Sequence, residues 1–250
     1  MPGAAAELVQ LRPDLIVVWS PAGTVAVKDA TSTIPVVFLG GGTGSASDVI
    51  GGLPRPGGNL TGVTFLPTDT NLDPKFLEIL KELVPAPSRV VLLRALAENS
   101  PTTDEAPIAA ARSLGIRLSI FLLRRPEDLK GAFASIEKEK PQAVLAPASG
   151  QLYAYRREVI DFAAQNRLPV MYGLREAVVD GGLISLSPSL ADIAARGAVY
   201  VDKILKGATP GDLPVEQPTN FQLVLNLKTA RALALTIPPS LLLRADQVIE

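Results

Sequence analysis

The chain of 250 residues contains no histidine and no cysteine. This double absence removes the His-based catalytic triad, the Cys nucleophile and the usual zinc sites, and leaves carboxylate, Lys or Tyr chemistry as the open enzymatic routes. Without cysteine there is also no disulfide signature of compartment. Aromatic residues make up only 5%, and the single tryptophan, Trp19, closes an apolar run, where it reads as core or as the wall of a cleft. Lys and Arg (24) balance Asp and Glu (25), so a net charge of −1 provides no basic stripe for nucleic acid. No apolar run reaches membrane-spanning length, so no direct membrane insertion is expected.

What the chain does contain is a regular alternation. Apolar runs at 15–20, 35–39, 62–66, 90–93, 118–122, 143–146, 170–172 and 183–186 read as strands. Between them, helices are expected at 21–30, 47–53, 73–84, up to 114, up to 138, 153–166 and 189–206. Continuous apolar strands are those buried on both faces, and repeated βα units imply parallel sheets with right-handed crossovers. Pro85 and Pro87 mark a restart of the pattern. The expectation is an α/β protein of two lobes, each a mostly parallel sheet flanked by helices, with a cleft between them. The first lobe spans 1–86 and the second 87–182; 183–212 returns to the first, and 213–250 crosses back to the second.

The last fifty residues are the most structured in their punctuation. Lys206-Gly207 ends a helix in a glycine cap. Pro214 and Pro218 then frame an extended segment. Phe221, Leu223 and Leu225 alternate as on a strand, and Asn226 can cap a short helix through Ala234 that Pro238-Pro239 stop.

Three strand ends carry polar loops. Ser20-Pro21-Ala22-Gly23-Thr24 joins a strand to a helix start, where Ser20, Thr24 and the amide of Ala22 suit a carboxylate because the helix dipole favours negative charge. An ordinary N-cap explains the same residues without a ligand. Gly40-Gly41-Gly42-Thr43-Gly44-Ser45 follows a strand, and Gly41 and Thr43 could present amides to an anion. It is similar to the GGGTG core of the tubulin-type GTP-binding signature, but Ala46 stands where that family has glycine. There is no Lys-[ST] for a P-loop and no third glycine for a dinucleotide fingerprint, so no cofactor and no metal is expected. In the second half, Ser149 and Gln151 lie in the strand-end segment PASGQLY.

Several stretches together resemble one bacterial family, the substrate-binding proteins of ABC transporters related to tryptophan and tyrosine uptake. They are 53–62 (LPRPGGNLTG), 167–182 with its Tyr172-Gly173-Leu174-Arg175-Glu176, and 200–250. The resemblance implies a type I periplasmic-binding-protein fold with three crossovers. It further implies a small solute, an amino acid or related carboxylate, bound in the cleft with hinge closure and presented to a membrane permease, with no chemical step. By the same resemblance Tyr172 would stack on the ligand and Arg175 would pair bidentately with its carboxylate. Asn99 falls on the family's polar loop after the first second-lobe strand, and Ser187, like Ser185, lies where the chain returns to the first lobe. A rim Tyr and a capping Arg remain the structural alternative. The chain departs from the family at the Gly40 loop, which commonly reads Val-Gly-Asp-Pro there, and at Ser149-Gly150, where an Asp-Pro pair is usual.

The resemblance also implies a periplasmic or extracytoplasmic place, whereas Met1-Pro2-Gly3 leads directly into a helix with no visible export signal. The chain reads as lacking the family's signal and first βα unit. An open sheet edge beside 15–20, and self-association through it, is therefore expected. A ligand-sensing module of a regulator or receptor is the alternative function. An α/β enzyme fits less well, because the strand ends carry Ser, Gly, Ala and Pro rather than convergent carboxylates.

Overall fold

The structure, a computed structural model, describes residues 2–41, 52–67, 71–96 and 105–250. Helix α1 (Pro2–Gln10) leads into β1 (Ile16–Trp19), α2 (Pro21–Ala30), β2 (Val36–Gly41) and β3 (Leu60–Thr64). Next come α3 (Asp73–Leu83), β4 (Arg89–Ala95), α4 (Glu105–Ser113), β5 (Arg117–Leu123) and α5 (Asp128–Glu139). They are followed by β6 (Ala143–Ala146), α6 (Gly150–Ala154), α7 (Arg156–Gln165), β7 (Val170–Tyr172) and α8 (Arg175–Val179). The chain ends with β8 (Ile184–Pro188), α9 (Leu190–Leu205), β9 (Phe221–Asn226), α10 (Leu227–Ala232), α11 (Pro239–Arg244) and β10 (Gln247–Ile249).

The chain divides into two compact units, Met1–Thr70 with Pro188–Asn220, and Asn71–Ser187 with Phe221–Glu250. The smaller holds a three-stranded sheet ordered β1-β2-β3, with parallel pairing throughout. One face packs Ile16, Val36 and Leu60 against Ala5 of α1 and Val27 of α2. The other packs Val37, Leu39 and Val63 against Ile193, Tyr200 and Ile204 of α9. That helix starts where Ser189 accepts a hydrogen bond from the Asp192 amide, the usual way to satisfy an orphan N–H. β3 can approach β2 only because position 62 is glycine. Its φ is +152°, and a Cβ there would lie 2.0 Å from the Phe38 carbonyl oxygen.

The larger unit holds seven strands ordered β10-β9-β8-β7-β6-β4-β5. Helix α3 presents Phe76, Leu77, Leu80 and Leu83 to Val90, Leu92 and Leu145 on one face. On the other face, Leu129 and Ile136 of α5 and Val159 and Phe162 of α7 cover Val91, Val144 and Val170. After β5, the amides of Arg125 and Arg124 donate to the Asp128 carboxylate at 2.9 and 2.8 Å, and these bonds hold its pKa below the usual range.

The alternation read from the sequence is therefore an α/β fold of mostly parallel sheets covered by helices. Several details differ. The units divide before α3 rather than at Pro85 and Pro87, because the apolar face of α3 is buried on the seven-stranded sheet. The later crossings fall after Ser187 and after Asn220, not at 183 and 213. The helix expected at 153–166 is two helices that meet at Tyr155. Pro238 and Pro239 open α11, with Pro239 in its first turn, where the missing N–H has no cost. The helix expected at 47–53 falls mostly outside the described residues. Trp19 is 47% exposed on the outer strand rather than in a core. Among the described residues no helix is long and apolar enough to cross a membrane.

Candidate functional site

In open parallel sheets the carboxyl ends of the strands are where ligands are met, since helix N-termini and loop amides converge there. In the smaller unit this edge holds the turn after β1. The Ser20 hydroxyl accepts from the Gly23 amide at 3.1 Å, and the Thr24 hydroxyl donates to the Ser20 carbonyl at 2.8 Å. Both side chains thus close the start of α2, as an N-cap does. Thr24 is fully buried, whereas Ala22 is exposed and carries the one first-turn amide these bonds leave over. Ser20 has φ 153° and ψ 152°, a region that is essentially glycine's. Gly41 ends β2 at a bulge, where the register to β3 shifts and Gly41 faces Thr64. The Thr64 hydroxyl is buried without a partner among the described residues. Thr43 lies outside the described residues.

The larger unit brings two of the expected loops together. A Cβ on Gly173 would lie 2.0 Å from the Ala148 amide nitrogen, so the loops after β6 and β7 touch through backbone, and only glycine permits it. The Ser149 hydroxyl is occupied by the Leu152 amide at 2.9 Å, capping α6. Gln151 donates its side-chain amide to the Arg125 carbonyl at 3.1 Å. Tyr172 is buried at 4% exposure in the core beneath α6 to α8, and that burial pushes its pKa above the ordinary tyrosine value. Beside it a crevice of about 10 Å³, lined by Pro147, Leu152, Tyr153 and Leu174, has room for about one water. The Arg156 guanidinium lies 4.4 Å from the Tyr153 ring centre and pairs with Asp180 at 2.9 Å.

Arg175 stands at the start of α8, half-buried, and its Nε donates to the Gln247 side chain at 2.9 Å. Among the described residues its terminal nitrogens make no hydrogen bond, which leaves the two-pronged end of the guanidinium unoccupied. Ser187 and Ser185 lie on one face of β8, at 1% and 0% exposure, and neither hydroxyl has a partner among the described residues. A buried hydroxyl without a partner costs about 1–3 kcal/mol, which makes these serines the least satisfied polar groups on that strand. Asn99 lies outside the described residues. Sequence reasoning missed the ion pair of Arg94 with the buried Asp73, at the carboxyl end of β4. Its signal was an Arg directly after the apolar run Val90 to Leu93, where a charge needs a partner. Among the described residues no three acidic side chains come close enough together to hold a metal ion.

A family model described as ABC transporter substrate binding protein matches residues 3–249. A tyrosine-binding protein from Clostridioides difficile is 22% identical over 231 residues, or 92% of this chain. The chain spans 65% of the length of that curated relative. Two solved structures superpose with a TM-score of 0.86 at 27% identity over 99% of this chain. One is a conserved domain protein from Vibrio cholerae, of which 84% is covered. The other is the ABC domain in complex with L-Trp from Streptococcus pneumoniae, of which 83% is covered.

Proposed function

The chain belongs to the ABC transporter substrate binding protein family, and from that premise we propose that it is the solute-binding component of an ABC-type importer. It binds an amino acid or a related small carboxylate and delivers it to a membrane permease from an extracytoplasmic position. No chemical step is part of this function. Support for the ligand class comes from the likeness to the L-Trp complex at a TM-score of 0.86 and from the side chains at the larger unit's strand ends. The single observation that carries it is Arg175, whose terminal nitrogens remain open at the start of a helix while Nε is anchored on Gln247. A guanidinium held by one nitrogen and open at the other two suits a carboxylate. Ser187 adds a buried hydroxyl in need of a partner, while Tyr172 acts from beneath as the packed support of the Gly173 loop. In the smaller unit the exposed amide of Ala22, held in place by Ser20 and Thr24, and the backbone of Gly41 would contribute main-chain contacts.

A thermal-unfolding screen over the amino acids, nucleosides and small carboxylates tests this function. An amino acid or carboxylate at a hundredfold excess over its Kd is expected to stabilise the chain by about 2.7 kcal/mol. Arg175→Lys, which keeps the charge but loses the fork, is expected to weaken that ligand by at least about tenfold. Turnover of a library member, or stabilisation by nucleosides alone, would overturn the function.

A further inference from the structure

Arg175 and Glu176 stand next to each other at the start of α8, yet the two charges do not pair. Arg175 commits its Nε to Gln247 at 2.9 Å. Glu176 is half-buried, and its Oε2 is fully covered with no hydrogen-bond partner among the described residues. The arginines of the adjoining helix are engaged elsewhere: Arg156 and Arg157 reach Asp180, one turn along, at 2.9 and 3.7 Å. A carboxylate in a first turn is favoured by the helix dipole. That attraction is smaller than the cost of burying a carboxylate oxygen without a donor, so helix formation alone does not account for Glu176.

The other orphaned oxygens of the larger unit fall on the same side of its sheet. Tyr172 of β7 is in register with Ser185 of β8, and it packs with Ala177 and Val178 of α8. Ser185 and Ser187, two residues apart, therefore both face the layer in which α8 lies. Among the described residues of this unit, the buried side-chain oxygens without a partner are these two hydroxyls and Glu176 Oε2. All three belong to one short helix and the strand that follows it. Buried polar groups are nearly always paired, and a cluster of exceptions marks a place completed from outside the chain. The place is also rigid. The Asn226 side-chain amide donates to the Val178 carbonyl at 3.3 Å and the Thr229 hydroxyl to the Gly181 carbonyl at 2.8 Å, which ties the far end of α8 down.

Given Arg175 as the grip for the ligand's carboxylate, the reading on which this rests, we propose that Glu176 receives the ligand's ammonium group. The site then selects an amino acid in its zwitterionic form against a carboxylate that lacks the amine. An ammonium carries three donors and no acceptor, Glu176 Oε2 lacks a donor, and serine hydroxyls accept as well as donate. Opposite charges on the ligand would meet opposite charges on consecutive residues, and neither side chain of the protein would remain uncompensated. A deaminated acid satisfies Arg175 alone. It leaves the Glu176 carboxylate buried without a partner and brings a second carboxylate near it, which is the costly case.

Calorimetric titration of the 250-residue chain with each L-amino acid, and with the acid of the same side chain that lacks the α-amino group, tests the assignment. At least one amino acid is expected to bind, and its deaminated counterpart at least about a hundredfold more weakly. Glu176→Gln, of nearly the same shape, is expected to weaken the amino acid at least about tenfold. The deaminated acid is expected to bind that variant more tightly than the parent, because two carboxylates no longer repel. Arg175→Lys is expected to weaken both ligands alike, since both carry the carboxylate. A deaminated acid that binds the parent chain within about threefold of its amino acid would overturn the role of Glu176 and leave the carboxylate reading standing. So would a Glu176→Gln variant that weakens both ligands equally, the mark of a merely structural residue. Failure of every amino acid and every acid to bind would overturn both. The comparison on the parent chain needs no variant, and it decides even where Glu176→Gln fails to give a native circular-dichroism spectrum.

Discussion

The two margins of the three-stranded sheet are built from similar apolar runs, yet they end differently. Beyond β3 the chain supplies its own cover: the Thr64 amide donates to the Glu216 carbonyl at 2.9 Å, and the Glu216 amide donates to Gly62 at 3.0 Å. The Thr61 hydroxyl reaches the Leu213 carbonyl at 2.9 Å, across 152 residues of sequence. Tyr200, buried on α9, donates to the Pro214 carbonyl, and Glu216 is also held by Arg196 at 3.1 Å. Beyond β1 no described residue plays this part. The β3 margin is thus closed by an extended segment far along the chain, and the strand's own residues say little about it.

The largest expected effect lies on the closed side. Gly62→Ala would drive a Cβ into the Phe38 carbonyl and is expected to cost about 3–5 kcal/mol in urea unfolding; a midpoint near that of the parent chain would show that β3 is not held this tightly. Tyr200→Phe removes the hydroxyl that holds Pro214 and is expected to cost about 1–2 kcal/mol. Its pH dependence carries a sign. Burial first, and then the negative charge of Glu216, raise the Tyr200 pKa above the unfolded value of about 10, so the folded chain keeps a proton that the unfolded chain releases. The stability this gives is complete below pH 10 and declines as pH rises beyond it. Tyr200→Phe should flatten part of that alkaline decline, to which Tyr172, also raised by burial, contributes in the same direction; an unchanged decline would count against the Tyr200 contribution. The smallest effect belongs to the β1 side. Val17→Lys, at a half-exposed position of β1, is expected to change stability by less than about 0.5 kcal/mol. A larger loss would mean that something within the chain covers β1 after all.

Much of the fold was legible because its signals are local. Apolar runs such as Val90 to Leu93 announce strands buried on both faces, and Ser20, Ser149, Ser189 and Asn226 cap helices with side chains that belong to the sequence itself. The unit boundary was misread because prolines are a local signal, while the affiliation of α3 depends on which sheet its apolar face meets. The break at Tyr155 and the helix after Pro238 turn on one residue's backbone, below the grain of periodicity. The strand-end loops were legible in the sequence, but the partners of their side chains were not. Ser20, Thr24 and Ser149 are polar residues at strand ends, as read, but their hydroxyls are taken by helix amides. Arg175 reads as a carboxylate fork from its motif, and nothing in that motif announces its Nε bond to Gln247.

By itself, then, the sequence determined the alternation of parallel strands and helices, the helix starts, and the family, since each rests on residues near one another or on a shared pattern along the chain. The tertiary structure alone decided which hydroxyls are occupied, which unit claims α3, and which edge of the small sheet is covered. Those depend on hydrogen bonds and apolar contacts between segments far apart in the chain, and a donor has no fixed partner until folding brings one within about 3 Å.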